Sequence, residues 1–402
     1  MRQEEARVAA AAPAAPRQVA LATAGFVLLA LNLRTAITSV PPILPDLALS
    51  GAGESLLTTL PVLLFGGAAA AGPALRARLG EERGLFAALA LTVAGIVARG
   101  LWPDAALFPA TIAACAGIAV LNVLLPSFVR GRFAGRVGPM TAVYTTALTA
   151  GATLAAGLTV PIRDAAGGSN GVALGIWAVP AALALLAWTP QLRSPDRHVP
   201  GPRGGPAPRS LWRSPLAWQV TLFMGLQSLA YYAPLSWLPT IYREQGLSPA
   251  TAGALLSVFN AVGIAGNLVT PVIAHRMRDQ RWAIAGTVSL TIMGIIGLLV
   301  APAGLALLWA VVLGLGQGAA LSLALLLMIL RAPDHDTSAR LSSMAQGVGY
   351  LLAAAGPLGM GLLHALTGGW TVPLLGMLGL CALELAAGLG AGRARVVGGA
   401  PA

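Results

Sequence analysis

The sequence holds no lysine: all 25 basic residues are arginines, against 14 acids, and only 10% of the 402 residues are charged. Ordinary soluble domains carry ~25% charged residues, so a soluble globular chain is excluded. Two cysteines, Cys115 and Cys381, both fall inside apolar runs. They are too few and too deep for a disulfide framework or a thiolate site, and read as small packing residues. Four histidines and few acids are scattered along the chain. A metal centre or a membrane enzyme needs such groups clustered, so neither metal nor cofactor is expected. No zinc, P-loop, nucleophile-elbow or metalloprotease spacing occurs, which argues against direct ATP drive.

What is present is apolar: 56% of the residues are hydrophobic. At ~20 residues per span, twelve spans use roughly 240 residues and leave short loops with no room for a separate soluble domain. The expected spans are 19–44, 55–75, 84–102, 105–129, 138–161, 171–189, 215–239, 250–273, 282–301, 304–330, 341–365 and 371–391. The fold class is therefore an all-α membrane protein of twelve transmembrane helices. The one long polar stretch is rich in Pro, Gly and Arg and has no apolar period. Treated as a linker over 190–214, it separates a six-helix bundle at 19–189 from another at 215–391. Residues 1–18 and 392–402 are expected as tails, the first uncleaved.

A formal charge of +11 raises nucleic acid as a partner, but its placement argues against that. Arginines cluster after every even-numbered span: Arg76, Arg78 and Arg83; Arg130, Arg132 and Arg136; five between Arg193 and Arg213; Arg276, Arg278 and Arg281; Arg331 and Arg340; Arg393 and Arg395. The opposite loops are expected to hold only Arg99, Arg163 and Arg243, each beside an acid, namely Asp104, Asp164 and Glu244. By the positive-inside rule both termini are cytoplasmic, in the cell inner membrane.

One arginine breaks this pattern. Arg34 lies about 15 residues into the first span, ~1.5 Å per residue, hence near the bilayer centre. A charge there costs ~2.5 to 3.5 kcal/mol on insertion scales. Asp46 is twelve residues further on and belongs to the outer end of the span, and Glu384 is the one acid inside another apolar run. A solute anion in a water-filled midplane cavity is the counter-charge we expect. A structural hydrogen-bonded role and a lipid-facing side chain are the alternatives.

The two halves look like weak copies. The first span ends Ile43-Leu44-Pro45-Asp46 and the seventh Trp237-Leu238-Pro239-Thr240; the second ends Ala71-Gly72-Pro73 and the eighth Val269-Thr270-Pro271. Such repeats mark transporters that rock two bundles about a central site. The six-plus-six plan with its basic linker resembles the major facilitator superfamily. NLRTAITSVPPILPDL (32–47) resembles the first-helix signature of the cyanate and 2-nitroimidazole porter family, as do GLQSLAYYAPLSWLPTIY (225–242) and GVGYLLAAAGPLGMGLLHALTG (347–368). The superfamily's loop after the second span carries an Asp-Arg pair, whereas Gly72-Pro73-Ala74-Leu75-Arg76-Ala77-Arg78 lacks the Asp, so the ion pair that the resemblance implies there has no acid in this stretch.

The resemblance implies a cavity lined by the first, fourth, seventh and tenth spans. Its candidate substrate ligands are Arg34 and Asn32, Asn122, Gln227 with Tyr231 four residues on, Trp237 and Gln317; Tyr144 and Gln346 are evenly balanced between substrate contact and helix-helix bonding. Asn260, Asn267 and Tyr350 read as interhelical glue. Gly314, Gly316 and Gly318 lack a preceding strand and read as close packing, as do the small residues Ala147, Gly151 and Ala155. Glu384 is a weak candidate for proton coupling, because twelfth spans lie outside the cavity in the resembled superfamily. Asp334, His335 and Asp336 read as a solvated triplet.

These residues point to a monomeric secondary transporter in the lipid bilayer. It moves a small anionic or weakly acidic solute, cyanate-like or nitroimidazole-like, by alternating access, with protons as an optional partner. One rival is an exporter of neutral nitroaromatic rings. A rival of another class is a non-transporting membrane receptor or enzyme.

Overall fold

The structure is a computed structural model that describes residues 16–79, 82–132, 137–193, 209–300 and 303–398. The first 15 residues of the expected tail, most of the linker and the last four residues lie outside the described residues.

Among the described residues, twelve long helices run back and forth. They are α1 (Pro16–Thr38), α2 (Gly51–Leu79), α3 (Glu82–Leu101), α4 (Leu107–Arg132), α5 (Val137–Ala165) and α6, broken into Asn170–Gly175 and Ala178–Trp188. After the linker come α7 (Pro215–Glu244), α8 (Pro249–His275), α9 (Arg281–Val300), α10 (Ala306–Leu330), α11, broken into His335–Ala353 and Ala355–Thr367, and α12 (Thr371–Ala391). Eleven spans are long and apolar enough to cross a bilayer, and α7 is not among them. Twenty-two of its 30 residues are buried, including nearly all of 223–242, so this helix need not match lipid and can carry Gln227, Ser228, Tyr231, Tyr232, Ser236 and Thr240.

Helix pairing in the first half recurs six helices later. α1 packs on α5 and α6, α3 on α4 and α6, and α2 on α4; α7 packs on α11 and α12, α9 on α10 and α12, and α8 on α10. The halves meet where α5 packs on α8 and α2 on both pieces of α11. Small residues set these distances, as expected in lipid, where close backbone packing replaces the hydrophobic drive. A Cβ on Gly151 of α5 would stand 1.9 Å from the Leu31 carbonyl oxygen of α1, and one on Gly318 of α10 would stand 2.0 Å from the Gly263 carbonyl of α8. Backbone atoms cannot yield as side-chain ends do. Gly151→Val should therefore cost at least ~1 to 3 kcal/mol from overpacking, read as a lower thermal-unfolding midpoint in detergent.

Two charge assignments from the sequence need correction. α2 continues as helix to Leu79, so positions 76 and 78 belong to its last turn rather than to a loop. Arg99 is not in a loop beside Asp104: it lies on α3, fully buried, and donates to the Ala36 carbonyl (2.9 Å) and Ser39 Oγ (3.4 Å). The physical reason is at the end of α1. Proline at 41 and 42 forces a turn of 3-10 helix over Pro41–Asp46, leaving last-turn carbonyls of α1 without amide donors. The Arg99 guanidinium caps one of them, at the negative end of the helix dipole.

Candidate functional site

Because α5 approaches α1 so closely, Arg34 is turned toward the other half of the molecule. It is 9% exposed, and its Nη1 donates to the Tyr232 hydroxyl of α7 at 2.7 Å. Its guanidinium carbon stands 5.4 Å from the Phe65 ring centroid of α2 and 5.3 Å from that of Tyr232. Desolvated cation-π contacts of this kind contribute about 2 kcal/mol each, which offsets much of the insertion penalty without a carboxylate. Among the described residues no ion pair reaches Arg34, and its buried Nε has no partner.

Aromatic rings extend the wall. Tyr350 of α11 lies 6.1 Å from Phe65 and 6.3 Å from Tyr232, edge-on to both. Tyr231 lies 5.2 Å from Tyr232, stacks on Phe259 of α8 at 5.8 Å, and donates to Asn260 Oδ1 at 3.1 Å. On the first half, the Tyr144 hydroxyl of α5 donates to Asn122 Oδ1 of α4 at 3.3 Å. One cation is thus surrounded by hydroxyls and ring faces drawn from both halves. Tyr232→Phe should cost ~1 to 3 kcal/mol of stability in the ligand-free protein, because it strands a guanidinium N–H that the hydroxyl now satisfies; a lower thermal-unfolding midpoint in detergent reads the loss.

The structure brings together Arg34, Tyr231, Tyr144 and Asn122 from the expected set, and adds Tyr232, Phe65 and Tyr350. Gln346 is half-buried on α11, one turn from Tyr350. Four other candidates point elsewhere. Asn32 lies two residues from Arg34, on the far side of α1, and donates to the Pro180 carbonyl of α6 at 3.1 Å. Gln227 is fully buried and donates to the Met224 carbonyl and to Ser228 Oγ on its own helix. Trp237 donates to the Pro357 carbonyl of α11 at 2.9 Å and packs on Trp370. Gln317 donates to Thr291 Oγ1 of α9 at 3.2 Å, inside the second half. Tyr232 was missed because a tyrosine doublet places its two rings about 100° apart, and sequence does not reveal the rotation of α7 about its axis.

A second cross-half contact lies at the end of the molecule where α1 turns. Asp46 accepts two bonds from Arg243 of α7, at 2.8 and 2.9 Å, and a further one from Arg163 of α5. Arg243 was expected beside Glu244, which instead pairs with His364 of α11 at 3.2 Å. Arg163 also meets Asp164, as expected. Ten residues before Arg163 on α5, ~15 Å along the helix, the Thr153 carbonyl accepts from Ser257 of α8 at 2.7 Å.

Residues 22–357 match the profile of the Major Facilitator Superfamily. A 2-nitroimidazole transporter of Escherichia coli is 40% identical over 374 residues, 92% of this chain and 95% of that protein. The cyanate transport protein of the same organism is 32% identical over 370 residues, 90% of this chain and 95% of that one. In three dimensions, an inward-facing bacterial homolog of the human lysosomal transporter Spinster superposes with a TM-score of 0.76 at 16% identity, covering 95% of this chain and 98% of that one. Twelve helices paired twice over, a profile match across most of the chain and these relatives agree: the protein is a transporter of the major facilitator superfamily, within its cyanate and 2-nitroimidazole porter family.

Proposed function

We propose that the protein moves a small, planar, anionic or weakly acidic solute across the plasma membrane by alternating access, with Arg34 as the anion ligand. The observation that carries this reading is a guanidinium held between the two halves with no carboxylate and one unpartnered N–H. A buried cation kept without an acid is poised for an anion from solution. Tyr231, Tyr232, Tyr350 and Phe65 would flank a flat solute, and Asn122, Tyr144 and Gln346 supply polar contacts at the other side. Asn32, Gln227, Trp237 and Gln317 then serve helix packing rather than recognition. Both termini are taken as cytoplasmic from the arginine pattern, which puts the Asp46 cluster at the outer face.

Uptake of a monoanion against an inside-negative potential costs ~2.3 kcal/mol per 100 mV, and one proton carried with it cancels the charge. The relatives' names suggest the probes. Thermal-shift measurements on the purified protein with cyanate, nitrate and 2-nitroimidazole should show stabilisation of ~2.7 kcal/mol for a ligand at a hundred times its Kd. The aromatic wall favours a second reading, export of neutral nitroaromatic rings. In liposomes, potential-dependent flux of the anions supports the first reading, and electroneutral efflux of 2-nitroimidazole alone supports the second.

A further inference from the structure

Glu384 of α12 is 1% exposed, and neither of its carboxylate oxygens has a hydrogen-bond partner. An ionised carboxylate left so would cost many kcal/mol, so a group in this setting takes up a proton. The helices packed against α12 are α7, α9 and the second piece of α11. None brings a charge to the level of Glu384. α9 carries only Arg281, at its start; the second piece of α11 carries only His364, near its far end; on α7 the charges are Arg243 and Glu244, at its last turn, with Tyr231 and Tyr232 nearer. On α12 itself the titratable neighbour is the buried thiol of Cys381.

The register between α12 and α7 supplies an acceptor. A Cβ on Gly388 would meet Phe223 of α7 and Ile284 of α9, and one on Gly390 would meet Gln219 of α7. The helices run antiparallel, so one turn back from Gly388, at Glu384, corresponds to one turn on from Phe223, at Gln227. Gln227 Oε1 is buried and unpartnered, while its Nε2 is already engaged. A carboxyl O–H is the complement that both orphans lack.

We propose that Glu384 is a proton-binding site, neutral in this structure, whose O–H donates to Gln227 Oε1. Binding takes one proton from water and changes the side chain from −1 to 0. Release returns it when α7 moves and the acceptor is withdrawn. Gln227 stands four residues before Tyr231 and five before Tyr232, which holds Arg34. The proton and the anion are thereby read by the same helix. Its role in coupling rests on the transport reading above, whereas protonation itself does not.

Infrared difference spectra of the reconstituted, substrate-free protein at neutral pH should show the carbonyl band of a protonated carboxylic acid, absent in Glu384→Gln. Gln227→Leu should move that band to higher frequency as the hydrogen bond is lost. A band that survives in Glu384→Gln, or an immobile one in Gln227→Leu, overturns the assignment. For coupling, a gradient of one pH unit supports up to about tenfold accumulation of cyanate or 2-nitroimidazole with one proton per turnover. Glu384→Gln should lose that accumulation and keep counterflow exchange; accumulation equal to the parent protein's overturns the coupling role. If the parent protein moves neither probe, the substrate reading fails, and the infrared result still decides the proton site.

Discussion

Arg34→Ala is expected to abolish anion binding while leaving the protein folded and inserted. Truncating one member of a buried, hydrogen-bonded charge pair costs ~2 to 5 kcal/mol, roughly thirtyfold to several thousandfold in affinity. Stability should change far less, because two effects oppose. The variant escapes the ~2.5 to 3.5 kcal/mol cost of a mid-membrane charge. It also forfeits two cation-π contacts of about 2 kcal/mol each, with Phe65 and Tyr232, and leaves the Tyr232 hydroxyl without its donor, a loss of similar size in the other direction. A thermal-shift series reads both quantities: an unchanged melting point without ligand, and no rise with it. Arg34→Lys keeps the charge without the planar fork and should bind weakly. Ligand-induced shifts of parental size in Arg34→Ala would sink the assignment.

Asp46→Asn should open the end of the molecule that the Asp46 cluster now bridges. The substitution leaves Arg163 and Arg243 facing each other with no anion between them. Fully buried pairs lose ~3 to 5 kcal/mol when one partner is removed, and exposed pairs about 0 to 1. Here the side chains are 26% exposed for Asp46, 13% for Arg163 and 20% for Arg243, so ~1 to 3 kcal/mol is appropriate, a five- to 150-fold shift in the balance of states. Both native cysteines are buried, so a single cysteine at Ser257, where α8 meets α5 deeper between the halves, is a clean reporter. Its labelling by a membrane-impermeant maleimide should accelerate by that factor in the Asp46→Asn background. An unchanged labelling rate would show that the cluster is not a latch.

The reach of sequence reading differs between the fold and the site. Hydropathy and arginine spacing were enough to count the helices, because a bilayer penalises each polar residue where it stands, independently of tertiary neighbours. The same rule exposed Arg34, since the cost of a charge at mid-depth follows from position along one helix. It failed at Arg99, whose helix also ends near the interface: the Ala36 carbonyl it caps is free of an amide donor only because a different helix breaks before Pro41 and Pro42. It failed again on α7, where Gln227 and Tyr231, four apart, share a face in sequence but bond in different directions.

By itself, then, the amino-acid sequence determined that this is a twelve-helix, two-bundle membrane protein with an arginine at mid-depth in its first helix. One-dimensional depth and periodicity carry that information. Only the tertiary structure decided what surrounds the cation, that Asp46 joins Arg163 and Arg243 across the halves, and that Glu384 shares a level with Gln227. Each of these depends on how a helix is rotated about its own axis. That rotation is chosen by backbone contacts such as Gly151 on Leu31, between residues far apart in the chain, and no local pattern encodes it.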